Sequence, residues 1–163
     1  MQATKEDWAR GYARQALSDL GAREALVRTG AEKCHRLHFL QMAAEKACKA
    51  HLISRGSKLM KSHACVKKQL PLLARHFYSV LNDKQMAQGK LKMIKQFAGE
   101  IELLAPACDH GEDRKDNSEY PWEDGKGGIC IPCEYSFPNI DDGDRAIVPL
   151  IKLIRTASES YGR

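Results

Sequence analysis

Apolar residues return at helical spacing through most of the chain, and no convincing series of strands interrupts them. In the first segment, Trp8, Ala9, Tyr12, Ala13, Ala16, Leu17, Leu20 and Val27 keep that spacing. "TKED" opens the segment as a capping box, with Thr4 as N-cap and Asp7 three residues on. Gly30, after Thr29, closes it as a left-handed cap. Gly11 and Gly21 each weaken the helix by about 1 kcal/mol relative to Ala, yet the pattern resumes after both. A second helix is expected from about Ala31 to Ser54, stopping at Gly56. Leu37, Leu40, Ala44, Ala47, Cys48 and His51 share one of its faces, and Phe39, Met42, Ala43, Ala50 and Ile53 make a second apolar arc. Only His38, Gln41, Glu45 and Lys49 read as a polar strip, with Glu45 and Lys49 a favourable i,i+4 pair. A helix apolar over so much of its girth packs on more than one side.

Ser62 caps a third helix through "HACVKKQLPLLARHFYSVL", which Pro71 is expected to kink or split. A fourth runs from Asp83 to about Leu104, with Leu91, Ile94, Phe97, Ala98, Ile101 and Leu104 inward and Pro106 ending it. Residues 106–142 lose the period and carry "EYPW", "GKGG", "CIPC" and "FPNIDDG". Loops of that length are usually functional or partly disordered. The last helix is placed from Asp144 to Ser160, with Pro149 in its first turn and a stripe of Ile147, Leu150, Ile151, Ile154 and Ala157. The expected fold is all-α. It is an up-and-down bundle of four to five helices, one domain over 1–163, with a long irregular loop before the last helix.

The 163 residues suffice for one domain with a core of its own. No apolar run approaches the roughly 20 residues of a membrane span. The start, "MQATKEDWAR", lacks the apolar centre of a signal peptide, so a cytoplasmic location and reduced cysteines are expected. The net charge of +5 hides an asymmetry. Residues 1–100 hold 19 Lys/Arg against 8 Asp/Glu, a net +11, and residues 101–163 hold 7 against 13, a net −6. The basic excess peaks in Arg55, Lys58, Lys61, Lys67, Lys68, Arg75, Lys84, Lys90, Lys92 and Lys95. This segment either faces an acidic partner such as nucleic acid or pairs with the acidic loop of its own chain.

Two clusters carry possible metal chemistry. "CIPC", Cys130 to Cys133, has zinc-knuckle spacing, and "CDH" supplies Cys108 and His110 from the start of the same loop. Together they make a tetrahedral set that would staple the loop; the plain alternative is reduced cysteines in a loop, open to disulfide formation in air. A thioredoxin-like role lacks the βαβ pattern around the CxxC. His51 lies on the main apolar face three residues from Cys48, and His63 and Cys65 begin the next helix; these make either a buried metal cluster or, more simply, His51 is a hydrogen-bonded core histidine. Tyr120 and Trp122 either expose aromatic surface to a partner or tuck onto the bundle as anchors.

The chain also resembles a family. Asp19-Leu20, then Ala43-Ala44-Glu45-Lys46-Ala47-Cys48-Lys49-Ala50, resemble the "DL" and alanine-rich "AAEKxxKA" signature of HEPN domains. "SHACVKKQL" is similar to that family's "THxLxxLL" third helix, and "EYPW", Glu119 to Trp122, to the "YP" segment before its last helix. The resemblance runs in order over most of the chain. It implies a helical bundle, usually a homodimer, associated with RNA, toxin–antitoxin or defence systems, and often a minimal nucleotidyltransferase partner. Some members are metal-independent ribonucleases with an R-x4-6-H motif near a late helix. This chain departs there: its literal match is Arg28-x6-His35, across the turn between the first two helices.

The resulting expectation is a binding module for RNA or a nucleotidyltransferase, using Lys58, Lys61, Lys67, Lys68, Arg75, Lys90, Lys92, Lys95, Tyr120 and Trp122. The alternatives are a metal-independent ribonuclease toxin, with Arg28 and His35 as catalytic candidates, and a structural protein with a zinc-stapled loop. No cofactor other than zinc is expected.

Overall fold

The computed structural model describes residues 3–58, 64–79, 84–105, 117–140 and 147–163. Among them are five helices and one short hairpin: α1 (Lys5–Thr29), α2 (Lys33–Ser54), α3 (Val66–Tyr78), α4 (Lys84–Leu103), β1 (Trp122–Glu123), β2 (Ile129–Cys130) and α5 (Ile147–Tyr161). The fold is all-α. No described helix is long and apolar enough to cross a membrane.

The α1 boundaries follow from its caps. The Asp7 backbone N–H donates to Thr4 Oγ1 at 3.1 Å, and the Thr4 N–H donates to Asp7 Oδ2 at 3.0 Å. At the other end Gly30 has φ 69°, the left-handed conformation glycine adopts without strain. The turn is so short that α2 must return along α1. Three contacts fix the antiparallel register: Asp19 with Lys46, the Tyr12 ring with the Lys49 ammonium, and the Lys5 ammonium with the Gly56 carbonyl. In the same way α4 returns on α3, with the Lys67 N–H donating to Glu102 Oε2 at 2.9 Å and Lys90 lying over the Tyr78 ring. α5 lies antiparallel to α1, where Arg10 Nε donates to the Arg163 carbonyl and Arg155 pairs with Glu24.

One apolar cluster unites all five helices with Phe137 and Ile140 of the loop. α2 passes through it, with α1, α3, α4 and α5 against it. The four helices bury its first arc and Ala43, Ala50 and Ile53 of the second, while Phe39 and Met42 stay partly exposed. The alanines at 43, 44, 47 and 50 are fully buried and let those neighbours approach closely.

Three expectations are corrected. Of the two outcomes expected at Pro71, a kink or a split, the split does not occur: α3 continues through the proline. A proline at the sixth helical position frees one carbonyl, that of Lys67, and Lys67 is exposed to water that can satisfy it. The strip Gln41, Glu45, Lys49 is not solvated: these residues are 1%, 3% and 6% exposed. Glu45 joins them, Gln41 Nε2 donating to Glu45 Oε2 at 3.1 Å and Lys49 Nζ to Glu45 Oε1 at 2.7 Å, while Gln41 Oε1 has no partner among the described residues. Finally, Trp122 is 3% exposed and offers no surface to a partner. Its ring meets Tyr135 edge-on at 5.1 Å, and Tyr135 meets Phe137 at 5.0 Å. Tyr120 is 60% exposed.

The described part of the loop, 117–140, is ordered by local polar groups. The Ser118 N–H and hydroxyl both donate to the Leu104 carbonyl, tying the loop to the end of α4. Asp124 Oδ1 accepts from the N–H groups of Lys126 and Gly128, which shapes the turn between β1 and β2. Lys33 Nζ donates to the carbonyls of Ser136 and Phe137, holding the loop's end to the start of α2.

Candidate functional site

The expected site residues scatter. Arg28 and His35 are both exposed at the α1–α2 turn, and no hydrogen bond or ion pair joins them. Cys133 is exposed and Cys130 partly so, while Cys108 and His110 lie outside the described residues. No cluster of three possible metal ligands occurs among the described residues. Lys61 and Lys84 have no described side chain, and His63 lies outside the described residues. Lys92 and Lys95 share an exposed face of α4. Lys67 lies beside Glu102, and Lys90 covers the Tyr78 ring at the edge of an apolar groove. Lys58 is exposed beyond α2, and Lys68 is exposed on α3.

One place gathers chemistry. Where the end of α2 meets α3, a groove of about 400 Å³ is lined by His51, Leu52, Arg55, Gln69, Leu72, Arg75, His76 and Ser79. Helical spacing explains the set. Gln69, Leu72, His76 and Ser79 follow i, i+3, i+7, i+10 on α3, with Arg75 beside them and Lys68 one turn before Leu72 on the same side. From α2, His51 and Arg55 are one turn apart. Among the described lining residues none is acidic. Arg55 and Arg75 are exposed, and among the described residues no carboxylate pairs with either. Two guanidiniums in a groove whose described lining holds no acid make it suited to an anion.

The two histidines differ. His76 is exposed, at the mouth. His51 is 6% exposed, its ring centroid 5.3 Å from that of His76. Its Nδ1 lies 2.7 Å from the Tyr161 hydroxyl of α5. Burial, then His76 and Arg55, push the His51 pKa down to about 4, so the ring is uncharged near neutral pH. His51 is thus the hydrogen-bonded core histidine expected of it. Burial raises the Tyr161 pKa, against opposing effects of Ser54 and Arg55, and the phenol stays protonated. The thiols of Cys48 and Cys65, once considered with His51 as ligands, are held protonated by burial, Cys65 with a pKa near 12.

Tyr161 also borders a second groove, of about 280 Å³, on the far side of the α2 end, with Lys5, Arg10 and Arg163 among its lining residues and Glu6 as its described acid. The two grooves bring basic residues of α1, α2, α3 and the chain's end to one end of the bundle, Arg10 among them paired with Asp7 at 3.9 Å. Sequence reasoning found Arg55 and Arg75 as members of a basic run. It missed that they meet His51 and His76, and that Tyr161, Lys5, Arg10 and Arg163 join them. The adjacent pair Arg75-His76 is a visible signal in the sequence, although its spacing does not fit R-x4-6-H.

No protein-family model matches the chain, and no curated protein and no solved structure matches it.

Proposed function

We propose that this chain is a HEPN-like helical binding module that holds RNA by its phosphates in the groove between α2 and α3. The observation that carries this reading is the pair Arg55 and Arg75, exposed on one groove wall each, with no carboxylate of a described residue paired to either. Guanidiniums so placed bind phosphate oxygens in a forked geometry and contribute affinity that is independent of base sequence. Lys68 extends the same face of α3, and Lys5, Arg10 and Arg163 extend the basic end beyond Tyr161. The homodimer, the nucleotidyltransferase partner and a role in a toxin–antitoxin or defence system rest on the family resemblance. Light scattering tests the first and copurification the second.

The experiment is retention of labelled RNA at two salt concentrations. Retained, intact RNA at low salt and release at high salt are expected. Arg55→Ala and Arg75→Ala should each lower the slope of log affinity against log salt by about one phosphate contact, roughly 0.7 to 1. Unchanged retention in the double variant would sink the reading. A second reading, metal-independent RNA cleavage, draws on the neighbouring His51 and His76 rings beside the two arginines. Its signature is RNA fragments that vanish with His76→Ala; intact RNA removes it.

A further inference from the structure

We propose that Tyr161 locks His51 as a neutral Nε2–H donor, which makes the α2–α3 groove a seat for one phosphate group. This rests on the phosphate-binding reading of the groove.

Geometry carries it. His51 Nδ1 and the Tyr161 hydroxyl are 2.7 Å apart. His51 lines the α2–α3 groove, whereas Tyr161 lines the groove on the other side of the α2 end. The imidazole edge away from Nδ1 therefore belongs to the space that Arg55, Arg75 and His76 share. The Ser54 hydroxyl donates to the His51 carbonyl at 2.8 Å, so it does not compete as a donor to Nδ1. The Tyr161 phenol keeps its proton, because burial disfavours the phenolate. The hydroxyl lies near Ser54 as well as Nδ1; in the proposed arrangement its O–H donates to Nδ1, and the single proton of a neutral imidazole then sits on Nε2.

The groups around the ring keep it in that state. His76 and Arg55 oppose a second proton, and no described lining residue is a carboxylate that would attract one. The ligand side of the groove then offers two guanidinium forks and one fixed, uncharged N–H. That set matches a tetrahedral oxyanion, which takes several directed hydrogen bonds at once. With the proton already on Nε2, His51 has no free lone pair there to accept a proton from a ribose 2′-hydroxyl. The same hydrogen bond that completes the phosphate seat therefore makes His51 a donor and not a general base.

The test is long-range proton–nitrogen NMR on the full chain with labelled histidine, using inorganic phosphate as the probe. His51 is expected to show an unprotonated Nδ1 and a protonated Nε2, and its Nε2 resonance should move as phosphate is added. Tyr161→Phe keeps the ring that meets Phe77 and removes only the hydroxyl. It should give mixed tautomers and weaken phosphate binding about three- to tenfold, the range of one net hydrogen bond. An Nδ1–H tautomer in the wild-type spectrum overturns the proposal, whatever the variant does. So does a wild-type spectrum in which phosphate leaves His51 unmoved while RNA retention still depends on Arg55 and Arg75; the binding reading then stands without it. Wild-type protein that takes up neither phosphate nor RNA overturns both.

Discussion

The ammonium of Lys46 on α2 meets the carboxylate of Asp19 on α1 at 2.5 Å, in the seam where the two longest helices pack. Gln15 Nε2 donates to the other oxygen of Asp19 at 3.1 Å. The pair is mostly buried, so its value lies in satisfying both charges together rather than in Coulomb attraction alone. Asp19→Ala leaves Lys46 without its partner and should destabilise the fold by about 2 kcal/mol. Lys46→Met keeps the apolar stem but leaves the more buried Asp19 carboxylate with Gln15 alone, and should cost at least as much. Denaturant unfolding of both variants checks the order; equal, negligible losses would show the pair to be incidental.

Stability should depend on pH through His51. Its pKa is about 4 in the folded chain, against 6.5 for an ordinary histidine. Between those values the unfolded chain binds a proton that the folded chain does not. The contribution is therefore complete above pH 6.5 and is lost as the pH falls toward 4. Unfolding free energies across that window should fall with pH, and His51→Gln should flatten the slope. A slope identical in the variant would assign the effect to other groups.

Thiol labelling should separate the cysteines in order. Cys133 is exposed and Cys130 half-exposed, whereas Cys34, Cys48 and Cys65 are buried, and burial holds their thiols protonated. Only the thiolate reacts, so near neutral pH an alkylating agent should modify Cys133 first and the three buried cysteines only on unfolding. Mass spectrometry of a time course reads the order. If labelling of Cys130 and Cys133 waits for a chelator, the zinc-stapled loop gains support, and elemental analysis should then find about one metal per chain.

Trp122 is the anchor of the loop hairpin. Trp122→Ala deletes a buried ring from the stack with Tyr135 and Phe137, and a cost of about 3–5 kcal/mol is typical of such truncations. The loss should appear first as faster hydrogen exchange in residues 117–140, because the helices keep their own core. Uniform acceleration throughout the bundle would mean that the hairpin and helices unfold as one unit.

The helices were legible because each has a local cause. Thr4 and Asp7 cap α1, Gly30 ends it, and the apolar periods of α2, α4 and α5 name most of the residues that are buried. The same locality misled at Gln41, Glu45 and Lys49. A polar strip on a helix usually means water, and only the neighbours of α2 decide that these three are enclosed and meet at Glu45. Pro71 misled likewise, since the carbonyl it frees lies at Lys67, a position open to water.

The groove was not legible, and the reason is physical. His51, Arg55, Arg75, His76 and Tyr161 come from three helices, and no spacing along the chain relates position 51 to 76 or to 161. The sequence by itself determined where helices start, which faces are apolar and that the first hundred residues carry an excess of positive charge. Tertiary structure alone decided which of those charges share a surface. Helical periodicity extends only over neighbouring turns, whereas a binding site is assembled by packing between helices distant in sequence.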